Sequence, residues 1–115
     1  MYEDIKSADG VIFGSPMYMS QITGQSKQWL DRLFPLIDGA FQSRYPGKKV
    51  FTILSFENVV PGQREIVEGY INTAFSIYGW KPVYSLFFDN TASPCFELSD
   101  ELLKKAFTAG ELLTE

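Results

Sequence analysis

The sequence predicts an α/β fold built on a parallel sheet, and three observations carry that expectation. Short apolar runs fall at 11–13, 49–55 and 83–88, each too short for a helix. A segment with apolar residues at helical spacing follows each run. Glycine, proline or a helix-capping residue punctuates each change of pattern. Strands that alternate with helices pair in parallel through right-handed crossovers.

Tyr2 to Ser7 reads as the tail of a helix, with Ile5 and Ala8 toward a core and Asp9-Gly10 as its stop. Val11-Ile12-Phe13 reads as a strand buried on both faces. Residues 14–23 are expected to form a loop, with Thr23 as N-cap of a helix starting near Gly24. Trp29, Leu30, Leu33, Phe34 and Ile37 recur there at helical spacing, and Pro35 kinks or stops the helix. Lys27 and Asp31 pair weakly across one turn. Asp38-Gly39 and Tyr45-Pro46-Gly47 bracket a loop. Lys49 to Ser55 is the second strand, expected in the middle of the sheet. Residues 56–62 lead into the most regular helix, whose apolar face is Ile66, Val67, Tyr70, Ile71, Ala74, Phe75 and Tyr78, with Gly79 at C′. Val83 to Phe88 is the third strand, and residues 90–98 form a loop. Ser99 caps a last helix that carries Asp100 and Glu101 at its positive end. Leu102, Leu103, Ala106 and Phe107 are its expected buried side, and Gly110 weakens it by about 1 kcal/mol.

Length and composition bound the possibilities. A chain of 115 residues reads as one domain over 1–115, and 45% apolar content supports a packed core. Ten Phe and two Trp exceed the needs of one small core; core packing is their first use, and a cofactor or partner subunit the second. The net charge of −4 and the absence of a basic run argue against nucleic acid as a partner. Lys48-Lys49 and Lys104-Lys105 are only pairs, as at solvated element ends. No apolar run reaches the ~18 residues of a membrane span, so no membrane partner is expected. The acidic start Met1-Tyr2-Glu3-Asp4 is unlike a secretory signal. Cys95 cannot form an internal disulfide, which fits a cytoplasmic location, and it reads as a lone thiol. The absence of histidine removes Ser-His and Cys-His nucleophile pairs and every His-containing zinc site. No catalytic residue or metal ligand is assigned, so redox chemistry here falls to a bound cofactor.

The stretch Ala8-Asp9-Gly10-Val11-Ile12-Phe13-Gly14-Ser15-Pro16-Met17-Tyr18, with Gly24-Gln25-Ser26-Lys27 and Leu30-Asp31-Arg32 after it, carries a family resemblance. It resembles the flavodoxin-like NAD(P)H-dependent FMN reductases and iron-sulfur flavoproteins, in which A-D-x-I-I-F-x-S-P-x-Y precedes G-x-x-K-x-x-x-D-R. The resemblance implies a flavodoxin-like, three-layer parallel sheet, truncated to the last three strand–helix units. Such folds order five strands 2-1-3-4-5, and the motif belongs to the third of them. The first strands, their phosphate loop and any cluster-binding cysteines then fall upstream of residue 1. The function implied is that of an NAD(P)H-dependent, FMN-binding oxidoreductase, with NAD(P)H as electron donor.

By the same resemblance, Ser15, Pro16, Met17, Tyr18, Met19 and Ser20 lie along the flavin ring. Tyr18 or a methionine can cover the ring's face. Phe56, Glu57 and Asn58 border the ring from the next loop, where many relatives are glycine-rich. A plainer reading makes 15–20 a strand-ending turn with Tyr18 in the core, and makes Lys27, Asp31 and Arg32 a helix-surface pair and a loop clamp.

A parallel strand without its neighbour exposes an unpaired edge. A homo-oligomer covering Val11–Phe13 or the Trp29 helix is therefore expected, unless residues 1–10 fold over that edge. The alternative function is a non-catalytic fragment that self-associates and binds flavin weakly or not at all. A receiver-type signalling domain lacks the paired acidic residues it needs at the end of a first strand.

Overall fold

The computed structural model describes residues 1–58, 60–91, 93 and 97–115. Its elements are α1 (Tyr2–Ser7), β1 (Gly10–Tyr18), β2 (Gln21–Ile22), α2 (Gly24–Asp31), a 3₁₀ turn (Phe34–Leu36), β3 (Lys49–Ser55), α3 (Gln63–Ile77), β4 (Lys81–Phe88) and α4 (Asp100–Thr114). The sheet order is β2-β1-β3-β4. β1 runs parallel to β3 from Gly10↔Lys49 to Pro16↔Ser55, and β3 runs parallel to β4. The parallel core with Lys49–Ser55 in its middle is thus as the sequence predicts.

Alternation along the strands sorts side chains into two layers. Phe13 and Met17 of β1, with Val50 and Leu54 of β3, face a large core closed by Leu30 of α2 and by Val67, Ile71 and Phe75 of α3. Trp80 stacks on Phe75 at 5.7 Å, and its indole N–H donates to the Tyr45 carbonyl at 2.8 Å. Phe51 and Leu86 point to the other side and pack on Ala109 of α4. Gly79 takes φ 66°, which releases the chain from α3 into β4 where a side chain would be strained.

Six local expectations are corrected. Residues 14–18 continue β1 instead of looping out, and β2 turns back antiparallel beside Met17 and Tyr18. β1 is buried on one face only: Phe13 is buried while Ile12 is 60% exposed, because α4 covers β3 and β4 and reaches β1 only at its start. α2 ends at Asp31, earlier than its apolar spacing implied. Pro35 has no N–H to bond the Asp31 carbonyl, and it lies in the 3₁₀ turn. β4 starts at Lys81, with the register slipping at Val83, as an edge strand tolerates. α4 turns Leu102, Ala106, Ala109 and Leu113 inward and leaves Leu103 and Phe107 exposed. On α3, Ile66 is likewise exposed.

Candidate functional site

β1, β3 and β4 all run the same way, so Tyr18, Ser55 and Phe88 end at one edge of the sheet. Ligands of open α/β sheets bind outside that edge. A cleft of about 720 Å³ opens there, walled on one side by Pro16, Met17, Tyr18 and Met19 and on the other by Ser55, Phe56, Glu57, Asn58 and Thr91.

The first wall is the β1–β2 hairpin. Tyr18 pairs with Gln21, leaving a two-residue turn. Such turns favour φ > 0 at both central positions, and Met19 (φ 50°) and Ser20 (φ 64°) meet that need without glycine. Side chains in this region cost on the order of 1 kcal/mol each. The turn thrusts Met19 (97% exposed) and Tyr18 (67% exposed) outward, while Met17 faces the core. Tyr18 therefore stands at the rim of the cleft and does not occupy the core of the plainer reading.

The second wall is built by two loops that continue the β3–β4 pairing past the strand ends. The Phe56 N–H donates to the Phe88 carbonyl at 2.8 Å, and the Asn90 N–H to the Glu57 carbonyl at 3.0 Å. Phe56 is buried beneath Glu57 and Asn58, which are exposed. Its ring lies 6.5 Å from that of Phe87. The Arg64 guanidinium sits over both rings, 5.2 Å from Phe56 and 5.6 Å from Phe87, and bonds Asp89 at 2.6 Å.

Seven of the nine residues placed along a ring by the sequence line this one cleft: Pro16, Met17, Tyr18, Met19, Phe56, Glu57 and Asn58. Ser15 does not. Its buried hydroxyl donates to the Pro16 carbonyl at 2.7 Å and accepts from the Thr23 N–H at 3.1 Å, pinning the start of α2. Ser20 lines a smaller neighbouring hollow of about 160 Å³ with Val60, Pro61, Gln63 and Ile66. Thr23 caps α2 through the Ser26 N–H at 3.2 Å. The exposed Lys27 ammonium is held above its usual range by its bond to Asp31. Arg32 contributes its carbonyl, which accepts from the Tyr2 hydroxyl at 2.7 Å. Cys95 lies outside the described residues. Ser55 and Thr91 are lining residues that the sequence reading missed. The signal for both was position, at or just past the end of a parallel strand.

Among the described residues the lining combines apolar faces (Pro16, Met17, Tyr18, Met19, Phe56) with short polar groups (Ser55, Asn58, Thr91) and the Glu57 carboxylate, and none of them is basic. That chemistry suits a flat heteroaromatic ring with a polar edge better than a phosphate.

A family model described as the flavodoxin-like fold matches residues 2–108. The chain belongs to that family. Its flavodoxin-like sheet has a curated relative in an iron-sulfur flavoprotein of Archaeoglobus fulgidus, 32% identical over 112 residues. That match covers 96% of this chain and 47% of the relative, so the chain spans about half the length of that protein. Among solved structures, a WrbA-like flavodoxin of Agrobacterium tumefaciens superposes with TM-score 0.71 at 18% identity, covering 97% of this chain and 68% of that one. An NADH:FMN oxidoreductase in its apo form gives TM-score 0.70 at 19% identity, covering 96% and 55%. These structural likenesses establish the flavodoxin-like fold.

Proposed function

We propose that residues 1–115 are a single, partial flavodoxin-like domain that contributes the flavin-ring site of an NAD(P)H-dependent, FMN-using oxidoreductase. The observation that carries this reading is the convergence of the β1–β2 hairpin and the 55–58 loop on one cleft. A cleft of about 720 Å³ accommodates a tricyclic ring, since small-molecule sites run ~300–1,000 Å³. Tyr18 stands free to lie against the ring's face, and Met17 and Phe56 form an apolar floor that excludes water. Ser55, Asn58 and Thr91 offer polar groups to its edge. A bound flavin supplies the hydride and electron transfer that these side chains cannot. With no basic residue in the lining, the affinity of this chain for FMN is modest. The test is to titrate FMN against purified protein by equilibrium dialysis, reading bound flavin by absorbance, and to follow NADH and NADPH oxidation with FMN present. Saturable flavin binding and faster oxidation of one nucleotide support the reading; no bound flavin at millimolar FMN and no oxidation above the protein-free rate sink it.

A second reading, a self-associating protein without catalysis, is favoured by β1. Its edge away from β3 is paired only at Met17 and Tyr18 among the described residues. A groove of about 380 Å³ runs beside the open part, lined by Ile12, Phe13, Gly14, Gln25, Ser26 and Trp29. Open apolar edges recruit another strand, so a homo-oligomer fits both readings. Light scattering decides: a dimer or larger species is expected at micromolar concentration, and a stable monomer contradicts it. Among the described residues no helix is long and apolar enough to cross a membrane. A cytoplasmic location is proposed from the single cysteine.

A further inference from the structure

We propose that Arg64 and Asp89 form a positioning pair that sets the geometry of the cleft's second wall without touching a ligand. The inference rests on the proposed flavin site. Arg64 lies in the first turn of α3, Asp89 just beyond β4, and Phe56 just beyond β3. One guanidinium therefore ties three elements at the binding edge: it bonds the Asp89 carboxylate at 2.6 Å and covers the Phe56 and Phe87 rings at 5.2 and 5.6 Å. Its Nε is buried and has no hydrogen-bond partner among the described residues, which follows from its place against the rings.

The pair is partly exposed, at 35% for Arg64 and 52% for Asp89. Ion pairs so placed add little to global stability, and so the consequence falls on local geometry. Asp89 leads directly into Asn90 and Thr91, and their N–H groups donate to the Glu57 and Phe56 carbonyls at 3.0 and 3.4 Å. These bonds tie down Phe56, Glu57 and Thr91, three of the cleft's lining residues. Asn90 holds φ 55°, a turn conformation that asparagine adopts readily. The Asp89 anchor to α3 holds that turn against the 56–57 backbone. A planar guanidinium serves where an ammonium does not, because it bonds in its plane while its face covers a ring.

The test uses Asp89→Asn, Arg64→Met, Arg64→Lys and the double variant Arg64→Met/Asp89→Asn. FMN affinity is read by flavin fluorescence and amide hydrogen exchange is read without ligand. Each of Asp89→Asn and Arg64→Met is expected to weaken FMN about tenfold, the double variant no further, and Arg64→Lys about threefold. Exchange at Asn90 rises about tenfold in the three pair-breaking variants, while Thr52 and Ile53 in β3 keep their protection. Thermal midpoints stay within about 5 °C of the parent. Unchanged Asn90 exchange overturns the proposal. So does altered exchange with FMN affinity intact. If the parent protein binds no FMN, the proposed function fails on its own, and the exchange measurement still decides whether the pair positions these loops.

Discussion

β3 and β1 carry similar apolar runs, Val50-Phe51 and Val11-Ile12-Phe13, yet only β3 is sealed. β3 has a parallel neighbour on each edge and a helical layer on each face, and Val50, Phe51 and Leu54 are all buried. Among the described residues β1 has β3 on one edge and only the two residues of β2 on the other. Its face toward α2 buries Phe13 and Met17, while Ile12, Gly14 and Pro16 on the opposite face remain exposed. Burial is thus set by what surrounds a strand and not by the composition of its run. The contrast also shapes the cleft: buried β3 supports it from the middle of the sheet, and β1 carries the exposed hairpin.

The largest effect that can break this contrast comes from cavity mutants. Leu54→Ala should cost about 2–5 kcal/mol, because the side chain is fully buried and its loss leaves a cavity. Ile12→Ala should stay within about 0.5 kcal/mol in a monomeric state. Urea unfolding followed by circular dichroism measures both, and equal losses would mean that the Ile12 face is covered.

The contrast sharpens within β1 itself. A Cβ at Gly10 would stand 2.7 Å from Leu113 of α4, whereas one at Gly14 would meet only the Ile53 carbonyl, at 4.0 Å. Gly10→Ala should therefore destabilise by about 1–3 kcal/mol through overpacking, and Gly14→Ala should cost nothing measurable. A loss at Gly14 comparable to that at Gly10 would show α4 or a partner lying further along the strand.

The smallest effect concerns the hairpin. Met19→Asn with Ser20→Gly supplies residues suited to left-handed backbone and should raise stability by about 1 kcal/mol. A fall in stability, read as a lower thermal midpoint, would show that Met19 or Ser20 makes contacts worth more than the strain.

The parallel core was legible because short apolar runs and helical spacing are set by the chain's own periodicity. The continuation of β1 was not, since Gly14-Ser15-Pro16 carries breaker residues; proline is tolerated at an open strand edge, which β1 has. The hairpin was hidden because Met19-Ser20 lacks the Asn-Gly signal of its turn type. On α4, the stripe containing Leu103 and Phe107 lies one residue along from the stripe containing Leu102 and Ala106, and packing against Phe51 and Leu86 selects the latter. Of the cleft, the motif-bearing residues were legible through the family resemblance. Ser55 and Thr91 were not, because their role comes only from where the strands end.

In the proposed function the hairpin and the 55–58 loop hold a flavin ring between them. Titrating FMN into the protein and into its Tyr18→Ala variant, with flavin fluorescence as the readout, tests it directly. Saturable quenching by the parent and about tenfold weaker binding by the variant, or ~1.4 kcal/mol, are expected. Absence of quenching by the parent at millimolar FMN, or equal affinity in the two proteins, would contradict it.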